Sequence, residues 1–90
     1  MFYVYLLENK EGKIYVGYSH DLKARLKRHN RGGAKFTTQH RPWKLVYYEA
    51  YLSEGDARRR EKTLKNYGST LGQLKARIRE SLIDERNLES

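Results

Sequence analysis

The stretch FYVYLLENKEGKIYVGY, residues 2–18, decides the fold. Two runs rich in aromatic and β-branched residues, Phe2–Leu7 and Lys13–Tyr18, flank the polar segment ENKEG. Runs of this kind read as strands, and a short glycine-containing connection between them reads as a hairpin loop. Gly12 fits the left-handed third position of a three-residue loop, Lys10-Glu11-Gly12. That loop sets Leu7 opposite Tyr15 and Tyr5 opposite Gly17. Side chains alternate across a strand, so Tyr3, Tyr5, Leu7, Tyr15 and Gly17 then share one face of the sheet. A loop one residue longer or shorter would split the set.

Beyond the hairpin, Asp21 is a candidate N-cap for a helix that runs to about Asn30 and ends at Gly32-Gly33. Residues 31–42 read as a basic loop and Trp43–Tyr51 as a third strand with mixed patterning. Ser53, with Asp56 three residues later, opens a second helix through a weaker form of the capping box. That helix ends near Tyr67-Gly68. Thr70 and Gln73 have the same spacing in front of a third helix, whose apolar stripe is Leu71, Leu74, Ile78 and Leu82. The order ββαβαα predicts an α+β domain, a three-stranded antiparallel sheet flanked by helices. It is expected to fill residues 1–84 as one domain, with residues 85–90 a frayed polar tail.

Ninety residues leave room for one thin core. Eight tyrosines, one tryptophan and two phenylalanines suit that size, because tyrosine packs its ring and leaves its hydroxyl wet. The chain has no cysteine, which removes disulfides and thiolate metal sites and fits a cytoplasmic protein. FYVYLL is too short to span a membrane. Nineteen Lys and Arg against eleven Asp and Glu give a net charge of +8. The excess is uneven. Lys23, Arg25, Lys27, Arg28, Arg31, Lys35, Arg41 and Lys44 fall in a stretch with no acidic residue. Further clusters are Arg58, Arg59, Arg60, Lys62 and Lys65, and Lys75, Arg77 and Arg79. A solvated face is the ordinary reading of such charge. A block this one-sided points instead to a polyanion, most simply nucleic acid, DNA or RNA.

Wound as a helix, residues 21–30 put Leu22 and Leu26 on the buried stripe. His29 falls within that stripe and Arg25 at its edge. The second helix repeats the pattern. Ala57, Leu64 and Gly68 form its stripe, Tyr67 lies at the edge, and Glu61 falls on the stripe itself. A carboxylate turned toward a core needs a partner. A salt bridge to Arg25 or Arg60 is the ordinary reading. A hard cation such as Mg²⁺, which keeps most of its waters, is the functional one. Arg25, His29 and Glu61 are thus expected to lean onto the sheet face that carries Tyr5 and Tyr15, where Gly17 leaves a gap. An arginine can stabilise charge on a phosphoryl transition state, a metal can polarise its oxygen, and a phenol can act as base where positive charge lowers its pKa. Phosphate-loop and metalloprotease motifs are missing.

On these residues the sequence resembles the GIY-YIG endonuclease superfamily, in particular its small single-domain bacterial members and the catalytic domains of excision-repair and structure-specific nucleases. Tyr3-Val4-Tyr5 stands at the first motif element and Tyr15-Val16-Gly17 at the second. Arg25, His29 and Glu61 (in ARRREKTLK) match the family's arginine, histidine and glutamate. The ordered set spans about residues 2–67. The resemblance implies a metal-dependent endonuclease acting on DNA. It implies one Mg²⁺ or Mn²⁺ ion on Glu61, Tyr15 as general base or its relay, Tyr5 assisting, Arg25 on phosphate charge, and His29 positioning or transferring protons. The chain departs from the pattern in carrying Tyr3 for the first glycine. It also lacks a secure asparagine after the glutamate, Asn66 lying too close and Gln73 being the remaining candidate. With no targeting domain in view, a partner protein is expected to supply the target. The alternatives are a non-catalytic nucleic-acid-binding module on the same fold, with Trp43, Tyr47 or Tyr48 stacking bases, and an adaptor docking on an acidic protein.

Overall fold

A computed structural model describes residues 1–32 and 40–82. Strands β1 (Phe2–Glu8), β2 (Ile14–Ser19) and β3 (Lys44–Tyr51) form an antiparallel sheet in the order β2-β1-β3. Helices α1 (Leu22–Arg31), α2 (Glu54–Asn66) and α3 (Gly68–Arg77) complete the expected ββαβαα order.

The hairpin has the register that Gly12 dictates. Tyr5 pairs with Gly17 and Leu7 with Tyr15, and Gly12 turns the chain at a positive φ of 83°. Asn9 fixes the loop from within, its side-chain oxygen accepting the backbone N–H groups of Glu11 and Lys13 at 3.0 and 2.9 Å. Its amide also donates to the His40 carbonyl.

Strand β1 is central and covered on both faces, which is why Val4, Tyr5, Leu6 and Leu7 are all buried and the run does not alternate with polar residues. One face carries Tyr5, Leu7 and Trp43, with Tyr15, Leu22, Leu26 and Leu45 packed against them. The other carries Val4, Leu6 and Val16, packed on Ala57, Leu64 and Leu74. So α1 covers the first face, and α2 and α3 the second. The expectation that α1 and α2 would lie on one sheet face is therefore corrected. Their local stripes were right, but a stripe says that a helix packs and not on which side.

The caps of the first two helices form as their sequences direct. Asp21 accepts the Ala24 N–H, Gly32 closes α1 at φ 91°, and Ser53 accepts the Asp56 N–H. At the C-terminal end of α1, Asn30 takes both backbone groups of Trp43, donating to its carbonyl at 3.0 Å and accepting its N–H at 2.6 Å. This clamp ties α1 to the start of β3 and seats the Trp43 ring beneath Tyr15. Two expectations fail further along. Helix α3 begins at Gly68, two residues before Thr70, and no side chain caps it. The Thr70–Gln73 spacing is unused because the Tyr67 carbonyl already takes the Thr70 and Leu71 N–H groups. Helix α2 stops at Asn66, so Tyr67 and Gly68 leave its stripe for solvent. Gly33 and the other loop residues through Gln39 lie outside the described residues, as do the ends of the expected domain and tail beyond Leu82.

Candidate active site

Gly17 is where the site is built. A Cβ placed on Gly17 would lie 2.3 Å from the Tyr5 hydroxyl oxygen and 2.4 Å from Tyr5 Cζ. The Tyr5 ring therefore lies across β2 in the space that only glycine leaves. There its Oη meets His29 Nε2 at 3.0 Å, inside the protein. His29 comes from the last turn of α1 and is 2% exposed. Tyr15 packs edge-on to the same imidazole, with ring centroids 4.8 Å apart, and tilts against Tyr5 at 6.4 Å. Three rings from β1, β2 and α1 thus pack together.

Arg25, one turn before His29, is half-buried. Its Nη1 donates to the Tyr18 carbonyl at 3.3 Å, and its charge acts on the Tyr5 phenol. Glu61 reaches the same centre from α2, on the far side of the sheet. Its charge also acts on Tyr5. Strand β2 is a sheet edge, and Lys65 of α2, the partner of Glu61, comes to the Tyr15 ring of that strand. The Glu61 carboxylate binds neither Arg25 nor Arg60. Its partner is Lys65, whose Nζ lies 2.9 Å from Oε2 and 5.8 Å from the centre of the Tyr15 ring. Arg60 pairs with Glu49 instead, which also accepts the Tyr47 and Tyr51 hydroxyls on the α2–α3 face. The Glu61–Lys65 pair was legible as an i,i+4 spacing in the favoured Glu-to-Lys direction.

Protonation states follow from this packing. Burial, and then the neighbouring Tyr15, push the Tyr5 phenol far above the usual tyrosine range, against the pull of Arg25. Burial, then the charges of Arg25 and Arg28, hold His29 below the ordinary imidazole value. Near neutral pH a protonated phenol and a neutral imidazole share the buried hydrogen bond. The sign of the linked pH effect is fixed by this shift. Below about pH 6.5 an exposed histidine of the unfolded chain takes up a proton before folded His29 does. Stability is therefore full above that pH and falls as pH drops through it, by at most ~1.4 kcal/mol per pH unit. Urea midpoints at pH 7.5 and 5.5 should separate for the natural chain and close up in His29→Gln. An equal gap in both would place the effect elsewhere.

The cationic clusters differ in what surrounds them. On α2, Arg58 pairs with Glu54, Arg59 with Asp56, Arg60 with Glu49 and Lys65 with Glu61. On α1, Lys23, Lys27, Arg28 and Arg31 are exposed, and the first turn holds no acidic residue. A cavity of about 290 Å³ lined by Ser19, His20, Asp21, Ala24, Arg25, Arg28 and Arg31 runs beside Arg25. Arg41 and Lys44 are exposed at the approach to β3, and Lys35 lies outside the described residues. Gln73 lines a separate cavity with Arg60, Thr70, Leu74 and Arg77 on the α2–α3 face, so it does not replace the missing asparagine beside Tyr5. Asn66 is exposed at the end of α2. Of the three proposed stacking aromatics, Trp43 is buried and Tyr47 is tied to Glu49, which leaves Tyr48 exposed.

The family model described as the GIY-YIG catalytic domain matches residues 1–75, a span that contains every element of this centre. The chain belongs to the GIY-YIG family. Its relatives include UPF0213 proteins of Staphylococcus aureus strains Mu50 and N315, each 44% identical over 66 residues, which is 72% of this chain and 80% of the relative. The solution NMR structure of a UPF0213 protein from Bacillus halodurans superposes with a TM-score of 0.51 at 40% identity, covering 83% of this chain and 86% of that one. Membership of the GIY-YIG family points to a nuclease-type hydrolase. Among the described residues no helix is long and apolar enough to cross a membrane.

Proposed function

We propose that this GIY-YIG chain is a metal-dependent endonuclease that hydrolyses DNA phosphodiester bonds. The convergence of Tyr5, Tyr15, Arg25, His29 and Glu61 around Gly17, from both sides of the sheet, carries the reading. A nucleic-acid binder has no need of a carboxylate brought round the sheet edge to a buried Tyr–His pair.

The donors at this centre fit one hard, largely hydrated cation. Glu61 supplies a carboxylate, and among the described residues no group of three or more His, Cys, Asp or Glu comes together to make a zinc or two-metal cage. Glu61 would hold Mg²⁺ or Mn²⁺, which when bound supplies Lewis-acid polarisation of a phosphoryl oxygen. The protein does the rest. Arg25 stabilises the charge that builds on the phosphate, at the mouth of the α1 cavity. Tyr15 takes or relays the proton of the attacking water. Tyr5 stays protonated and holds His29 in place, and neutral His29 keeps the capacity to accept a proton. Lys23, Lys27, Arg28, Arg31, Arg41 and Lys44 hold the strand through its phosphates, and Lys35 belongs to the same basic stretch. Structure preference, and a partner that supplies targeting in the cytoplasm, complete the reading.

The test is a panel of duplex, single-stranded and branched DNA, with RNA alongside, incubated with Mg²⁺ or Mn²⁺ and with an EDTA control. EDTA-sensitive cleavage supports the nuclease, and the preferred substrate names its class. Salt-sensitive binding with no cleavage of any substrate favours the binding module.

A further inference from the structure

In the Arg58–Lys65 cluster, Lys65 holds a place that the proposed reaction does not explain. Arg58, Arg59 and Arg60 are each neutralised by a carboxylate away from the catalytic rings. The carboxylate that neutralises Lys65 is Glu61 itself. The ammonium stands 2.9 Å from Oε2 and 5.8 Å from the centre of the Tyr15 ring, between the residue read as the metal ligand and the residue read as the base. Both side chains are partly exposed, at 45% and 20%, so the contact can open into solvent.

A divalent cation on Glu61 would share a small volume with that ammonium. Like charges at such a distance repel strongly even near a protein surface. The two draw on one carboxylate charge, so each weakens the other's hold on it. Lysine is suited to leaving, because its charge ends a flexible four-carbon stem.

We infer that Lys65 is a counter-ion that occupies Glu61 in the metal-free protein and competes with the catalytic cation for it. The inference rests on Glu61 as the metal ligand. It assigns to Lys65 a cost in metal affinity and a built-in neutralising partner for the carboxylate whose charge acts on Tyr5.

The test measures Mn²⁺ binding to the full chain, by the loss of the free-ion paramagnetic signal, without DNA. It compares the natural protein with Lys65→Met, Lys65→Arg and Glu61→Ala. An exposed pair of this kind is worth up to about fivefold in an equilibrium. Lys65→Met should therefore bind Mn²⁺ about fivefold more tightly, and Lys65→Arg, which keeps the charge and the reach, within about twofold of the natural protein. Glu61→Ala should lose the site. The i,i+4 pair adds little to helix stability, so the Lys65 variants remain folded. Unchanged or weaker binding by Lys65→Met, with Glu61 still required, overturns the inference and leaves the nuclease reading standing. Binding that survives Glu61→Ala overturns both.

Discussion

Glu61→Ala should abolish metal-dependent cleavage while DNA binding persists. In the proposed mechanism no other carboxylate stands in for Glu61, and the charge stabilisation that a bound metal supplies is worth several kcal/mol. At about 1.4 kcal/mol per tenfold, the loss should reach at least ~10³-fold in single-turnover rate. Binding should hold because the phosphate contacts assigned to α1 lie on the other sheet face and its exposed cations are untouched. Removing a negative charge near the DNA path should, if anything, tighten the complex. Fold stability should change little, since the surface pair with Lys65 is worth under ~1 kcal/mol. Cleavage by Glu61→Ala at the natural rate would remove the metal assignment. Loss of binding in step with cleavage would make Glu61 a structural residue.

Gly17→Ala should be strongly damaging. The added carbon would stand 2.3 Å from the Tyr5 oxygen and 2.4 Å from Cζ, where no real pair of atoms can stay. Either the ring swings away from His29 or β2 shifts along its edge. Overpacking of this kind costs about 1–3 kcal/mol, to which loss of the buried hydrogen bond adds ~1 kcal/mol. A ring displaced by about 1 Å from productive geometry costs on the order of 10²-fold in rate. The clash is with one ring, which gives a clean control. In a Tyr5→Leu background the same alanine should cost far less, and a double-mutant cycle on urea midpoints should show strong coupling. Independent, additive costs would mean that Gly17 matters for its backbone and not for the space above it.

That space was legible in the sequence. Gly12 fixes the loop, the loop fixes the register, and the register sets Gly17 opposite Tyr5 by arithmetic alone. The caps at Asp21 and Ser53 were equally local, as was the inward lean of His29. What failed was long-range or competed for. Nothing within the Ala57–Leu64 stripe says which sheet face it covers, and so α2 was placed on the wrong side. Glu61 was given Arg25 or Arg60 as its basic partner, but Arg60 is taken by Glu49 and the lysine one turn on, Lys65, holds the carboxylate. Asn30 and Asn9 went unnoticed, because their partners, Trp43 and His40, lie 13 and 31 residues along the chain. Thr70 had the spacing of a cap but met a chain that had already turned at Tyr67.

The central claim is that residues from both sheet faces form one catalytic centre. Single-turnover cleavage by Arg25→Ala, Glu61→Ala and the double variant tests it most directly, with Mg²⁺ saturating and DNA binding checked in each. Residues that act as a unit lose activity together, so the double variant should cleave about as slowly as the worse single one. Losses that multiply in the double variant would show that Arg25 and Glu61 act independently and that the shared centre at Gly17 is not where the bond is cut.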